Sequence, residues 1–190
     1  MKTLSLKKTS AVPGLLALGT LVLLSAAGMR AVQAADNATA SATAVVLQPI
    51  AVAKAADLVF GNVVAGNGVV TLATDGTRTK SGTAALPTGV AGVAARFDVT
   101  GSGNNTFSID YTGSSSVLTS VASDTMNVAW IAEVVATAAP TAYATTGANP
   151  ATGTLASGTA HIYVGGQLTV ASPQPAGTYT GTVQLTVAYN

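Results

Sequence analysis

Apolar residues recur along this chain mostly at every second position. The clearest run closes the sequence. After Gly177-Thr178-Tyr179-Thr180-Gly181, the residues Val183, Leu185, Val187 and Tyr189 alternate with Thr182, Gln184, Thr186 and Ala188. A period of two puts four apolar side chains on one face of an extended strand. Branched and aromatic residues also suit a pleated surface. Each such side chain contributes roughly 1.5–3 kcal/mol when it is buried. Only Asn190 follows Tyr189, so this strand is expected to present an open edge, a ready template for a partner's strand.

The same pattern predicts strands over residues 69–73, 93–100, 106–111, 117–122, 125–135, 159–164 and 167–171. Turn signals separate them: Asp75-Gly76, Thr100-Gly101-Ser102-Gly103-Asn104, Thr112-Gly113, Gly147-Ala148-Asn149-Pro150 and Gly165-Gly166. The segment 136–151, with Pro140 and Pro150, reads as a long loop with room for a short helix. Many short strands, Gly-rich turns and no sustained helical period argue an all-β sandwich. No repeat of fixed period points to a solenoid.

The beginning of the chain reads differently. Lys2, Lys7 and Lys8 precede an apolar stretch over 15–24, and Val32-Gln33-Ala34 offers a small-residue cleavage site. Residues 1–34 are therefore expected to be a secretory signal peptide. Pro13 and Gly14 cut the apolar run below the roughly 20 residues of a spanning helix, and no later stretch is long enough to span. Residues 35–47 follow as an extension in which Ala38, Ala40, Ala42, Ala44 and Val46 alternate with Thr39, Ser41, Thr43 and Val45. This again predicts a strand, built from small side chains. Pro49 ends it, because proline cannot donate to a ladder. Residues 48–190 then form the expected domain. It opens with Ile50 and Val52 in a strand and Phe60 in the core ahead of a turn at Gly61.

Charge is scarce, at 8% of residues against roughly 25% in ordinary soluble domains. Without residues 1–34 four cations remain, Lys54, Arg78, Lys80 and Arg96. They face seven acids, Asp36, Asp57, Asp75, Asp98, Asp110, Asp124 and Glu133. The expected exported chain is thus mildly acidic and carries no basic patch, which argues against nucleic acid as a partner. A surface with so little self-repulsion suits a subunit packed into a polymer better than a free monomer. Cysteine is absent, so neither disulfides nor thiol chemistry enter.

Reactive constellations are missing. His161 is the only histidine and lies in a strand pattern with no nucleophile elbow in the chain. One His, no Cys and scattered acids do not compose a metal-ligand set. Asp75-Gly76-Thr77 lacks the alternating carboxylates of a calcium loop. Trp130 reads as core rather than as a sugar platform. Asn37-Ala38-Thr39 and Asn104-Asn105-Thr106 match the glycosylation sequon, a pattern common by chance. The chain is expected to be no enzyme and to need no cofactor or metal.

Tyr189 is penultimate and Gly177 is fourteenth from the end. The tail PAGTYTGTVQLTVAYN resembles that of subunits of chaperone–usher pili of Gram-negative bacteria. It is similar in particular to spore-coat-U-type pilins and to a related, uncharacterised family of secreted proteobacterial domains, where ADLVFGNV also matches a strand running into a turn. The resemblance implies an immunoglobulin-like, pilin-like β-sandwich completed by strand exchange. It implies a groove bordered by Gly177, Val183, Leu185, Val187 and Tyr189, and a donor strand carrying Ala38, Ala40, Ala42, Ala44 and Val46. The implied partners are copies of the chain in a homopolymer, a periplasmic chaperone and an outer-membrane usher. The implied place is the periplasm in transit and then a cell-surface fibre. The alternative is a self-complete secreted sandwich that binds glycan or a surface through its loops.

Overall fold

The computed structural model describes residues 36–137, 139–146 and 149–190. The chain divides into Met1–Thr43 and Ala44–Asn190. The expected signal peptide lies outside the described residues, as do Gly147 and Ala148 of one expected turn. From Asp36 to Pro49 every residue is exposed and none belongs to a strand. The alternation there does not become a strand of the chain's own sheets.

The second unit is all-β among the described residues. Its strands are β1 (Ala51–Ala56), β2 (Gly68–Leu72), β3 (Arg78–Lys80), β4 (Ala95–Thr100), β5 (Thr106–Asp110) and β6 (Val117–Ser120). They continue with β7 (Thr125–Val135), β8 (Thr152–Thr154), β9 (Thr159–Val170), β10 (Tyr179–Thr180) and β11 (Thr186–Tyr189). All pairings are antiparallel. One sheet has the order β1-β4-β9-β7-β6-β10, with β2 on β9 and β3 on β2; the other has the order β11-β5-β8.

The twelve-residue β9 is the spine of the large sheet. One flank is divided between two partners. β4 takes the first half, from Thr100↔Thr159 to Ala95↔Val164, and β2 the second, from Leu72↔Gly166 to Gly68↔Val170. β7 runs along the other flank, from Val135↔His161 to Val128↔Leu168. Alternation sets what faces inward: Ala95, Phe97 and Val99 from β4, and Ala160, Ile162 and Val164 from β9.

Two apolar clusters result. In the first, Phe97, Val99 and Ile162 of the large sheet meet Phe107, Ile109, Leu155 and Leu185 from the small sheet and its flanks. In the second, Phe60, Val70, Leu72, Leu118, Met126, Leu168 and Val170 pack over the far half of the large sheet. Leu58 and Trp130 touch both.

Gly165-Gly166 departs from the sequence reading. It is not a turn, and β9 runs straight through it. A Cβ on Gly165 would collide with the carbonyl oxygen of Leu72, and one on Gly166 would sit 3.1 Å from the Phe60 ring and 3.3 Å from Trp130. The pair is glycine because β2 and two aromatic rings come too close for side chains, not because the backbone bends. Short β3, β8 and β10 were not predicted, and the loop 136–151 shows no helix among its described residues. Gly165→Ala should destabilise the domain by roughly 3 kcal/mol through overpacking against β2. Denaturant unfolding checks this; a loss below about 0.5 kcal/mol would mean the contact relaxes freely.

Candidate functional site

Between β1 and β2 the chain runs through 57–67 with little regular pairing. Val59 exchanges both backbone bonds with Val93 (2.8 and 2.8 Å), and Val64 does so with Ala85 (2.9 and 3.3 Å). The two bridges are isolated. Across a gap lies the segment 174–183, anchored on the large sheet through Tyr179↔Ser120 and Thr180↔Thr119. Tyr179 itself is tied down: its hydroxyl donates to the Pro175 carbonyl (2.8 Å) and accepts from the Gln174 amide (2.8 Å). Between these walls, 56–65 on one side and 174–183 on the other, lies a cleft of about 920 Å³. Leu118, Met126, Trp130, Leu168 and Val170 line it. Most of them are buried members of the second apolar cluster, so the cleft runs along that cluster.

The tail of the chain carries two rows of backbone groups. The row from even-numbered residues is occupied. Thr182 N–H donates to Ser115 Oγ (3.0 Å), and its carbonyl accepts from Ser115 N–H (2.8 Å). Ser114 Oγ accepts from Gln184 N–H (2.9 Å) and donates to Gln184 O (2.8 Å). From Thr186↔Asp110 to Tyr189↔Phe107 the ladder to β5 takes over. The opposite row, from Val183, Leu185, Val187 and Tyr189, has no ladder among the described residues, because β11 is the last strand of its sheet. The expected long tail strand is shortened to four residues because serine side chains replace a neighbouring strand over 182–184.

The residues proposed for a groove divide. Gly177 and Val183 line the cleft. Leu185, Val187 and Tyr189 do not; they pack into the first cluster, beside Ile50 and Val52. The inward–outward alternation of the tail is as read from sequence, with 183, 185, 187 and 189 shielded and 182, 184, 186 and 188 exposed. Among the described residues nothing requires glycine at 177: its φ is not positive, and a Cβ would meet only Ser120 Cβ, at 3.9 Å. Tyr189 acts as a clamp. Its hydroxyl accepts from Ser102 N–H (2.6 Å) and donates to the Gln48 carbonyl (2.8 Å), joining the end of β11 to the β4–β5 turn and to the residue before Pro49. The candidate donor residues Ala38, Ala40, Ala42, Ala44 and Val46 are all exposed, and Val45 and Val46 keep 86% and 93% of their surface in solvent.

Two other features matter less to the cleft. Trp130 is half-buried, and its indole N–H donates to Ser115 O (2.8 Å), so the residue expected in the core is shared between core and cleft. On β4 and β9, Asp98 Oδ1 lies 2.7 Å from His161 Nδ1 and 2.8 Å from Arg96 Nε. Burial raises the Asp98 carboxyl, but the hydrogen bonds from His161 and Arg96, with the charge of both, outweigh it and hold the pKa below the usual value. No hydroxyl nucleophile is hydrogen-bonded to this His among the described residues. A separate hollow of about 510 Å³ beside Glu133 and Tyr143 is a strapped loop. The Glu133 carboxylate is occupied by Thr74 Oγ1 (2.7 Å), Thr141 N–H (3.0 Å) and Thr141 Oγ1 (2.8 Å).

Ser114 and Ser115, just after the Thr112-Gly113 turn signal, were not among the expected site residues. Neither was Arg78, whose rarity in so uncharged a chain was the available signal.

The chain belongs to a family described as a domain of unknown function, DUF4402, whose model matches residues 50–189. No curated protein and no solved structure matches it. The family match begins after the exposed segment 36–49 and covers both walls of the cleft.

Tyr189→Phe should cost about 1–2 kcal/mol, since the Ser102 N–H and the Gln48 carbonyl each lose a partner. Thermal unfolding measures it, and an unchanged midpoint would show water replacing the hydroxyl. Because the folded pKa of Asp98 is depressed, its stabilising contribution is present above the unfolded value of about 3.9 and is lost as pH falls below that. Asp98→Asn should therefore melt lower than the parent at pH 6, with the gap closing as pH falls below about 4. A gap constant over that range would remove Asp98 from the acid response.

Proposed function

We propose that this protein is a structural subunit of a surface fibre, and that an extended segment of a neighbouring copy completes it by entering the cleft. One observation carries this reading. The chain combines an apolar cleft, walled by segments with little backbone pairing of their own, with an exposed, alternating segment at 36–47 that has no strand partner among the described residues. A strand laid between the walls would find backbone groups on both sides and an apolar floor, which is the physics of β-augmentation. The tail resemblance to chaperone–usher pilins supports the same reading. It adds a periplasmic chaperone that occupies the cleft in transit and an usher that exchanges it for the next subunit's arm. A signal peptide at 1–34 would supply export. No enzymatic step belongs to this reading.

Deleting residues 36–47 from the chain in its producing cell should abolish fibres, as seen by electron microscopy, while exported subunits still accumulate. The undeleted protein, purified without a chaperone, should form polymers or aggregates. Fibres of normal length from the deleted chain would overturn the donor assignment. A stable, monodisperse monomer of the undeleted chain would favour a self-complete binding module.

A further inference from the structure

We infer that Arg78 is the positioning residue of the cleft: its guanidinium fixes the 57–65 wall in the place where an incoming strand must pair. The inference rests on the cleft being a strand acceptor. Arg78 stands at the start of β3, opposite Leu72 of β2. Its Nη1 donates to two carbonyls of the wall on either side of Gly61, Phe60 O at 2.9 Å and Asn62 O at 3.2 Å. These bonds fall between the two isolated bridges, at Val59 and Val64. The wall is therefore held at three places, and the central one is a side chain.

The surroundings are shaped to this side chain. Leu72 and the aliphatic stem of Arg78 together fill the space over Gly92, where a Cβ would collide with Leu72 Cδ1 and come within 2.7 Å of Arg78 Cγ. Between the two accepting carbonyls, Gly61 adopts φ +74, a left-handed conformation that costs glycine little. A Cβ there would approach Nη1 to 2.6 Å and the Val90 carbonyl to 2.7 Å. Gly61 thus makes room for the guanidinium, and Gly92 for the stem of Arg78 together with Leu72. The kink at Gly61 is what lets the carbonyls of both Phe60 and Asn62 turn to the same guanidinium. No carboxylate pairs with Arg78 among the described residues, and the bonds its guanidinium makes there are to backbone carbonyls. Phe60 packs its ring into the second cluster, so the latch also fixes one of the apolar residues that line the cleft.

The test uses the exported chain lacking its own exposed residues 36–47, as the parent and with Arg78→Gln, Arg78→Lys and Gly61→Ala, titrated with a fluorescent peptide of residues 36–48. The single tryptophan, Trp130, lines the cleft and reports occupancy by a shift in its emission. Capture by the parent chain should weaken at least tenfold in Arg78→Gln, with the melting temperature lowered by only a few degrees. Arg78→Lys, which keeps the charge and can donate to one carbonyl, should recover part of the loss. Gly61→Ala, which displaces the guanidinium from the other side, should mimic Arg78→Gln. If Arg78→Gln fails to fold, the Lys and Gly61 variants carry the comparison. Equal capture by parent and variants would overturn the role of Arg78 and leave the cleft reading standing. No capture and no emission change with the parent chain would overturn the cleft reading, and this inference with it.

Discussion

A strand has two rows of backbone donors and acceptors, and along the end of this chain only one row finds a ladder among the described residues. That asymmetry governs the rest of the structure. The occupied row is satisfied by whatever is at hand, β5 over the last four residues and the serines of the 114–115 turn before them. Once those bonds fix the tail, its apolar side chains must point inward, and Leu185 is pulled into the first cluster. The unused row then faces away from the small sheet. Towards Tyr189 it lies near β1 without a ladder between them; towards Val183 it borders the cleft. Buried backbone groups normally find partners, and an unpaired edge draws other strands to it.

The two apolar clusters explain why the groove is open over only part of its length. Ile50 and Val52, with Val183, Val187 and Tyr189, pack against the first cluster. Among the described residues the second is bordered by the cleft instead. Its wall leaves β1 after Ala56, loses its ladder and is held at separate points. This is why Leu185, Val187 and Tyr189 behave as core while Gly177 and Val183 border open space. The alternation that marks all of them in the sequence cannot distinguish these fates. Periodicity reports which face a residue takes, not what covers that face.

Much of the fold was legible for that reason and some of it was not. The period-two pattern located β7 at its bounds, and β4, β5 and β6 nearly so. Glycine misled it once: Gly165-Gly166 carries the composition of a turn, but the demand it answers is steric and comes from Leu72, some ninety positions away in the chain. Short β3, β8 and β10 left too few residues for a period to register. The cleft itself was legible only as a missing partner at the tail. Its second wall, and the arginine that holds it, depend on contacts between 60–62 and 78, and nothing local in the sequence encodes them. The scarcity of charge was the one available hint. Where so few cations are kept, each can be asked what it holds: Lys54 sits in an exposed pair with Asp57, Arg96 braces Asp98, and Arg78 grips backbone.

The exposed segment 36–47 meets the physical requirements of the fibre reading more closely than its small residues suggest. An extended chain advances about 3.3 Å per residue, so twelve residues reach roughly 40 Å, and the wall at 174–183 would span about 33 Å even if fully extended. Length is sufficient. Bulk is the harder condition, since alanines bury little area at roughly 25 cal/mol per Å². The cleft, however, brings its own bulk: Leu118, Met126, Trp130 and Leu168 already stand along it. Large side chains on the acceptor leave shallow sites, and shallow sites call for a donor of small residues with a few larger ones at its root, where Val45, Val46 and Leu47 stand exposed. Gly177 fits the same logic, because its own fold would tolerate a methyl group there and only an occupant passing close to the backbone would object. On this view the affinity comes chiefly from backbone pairing with both walls and less from side-chain burial. The placement of those walls would therefore matter more than the identity of any one donor residue.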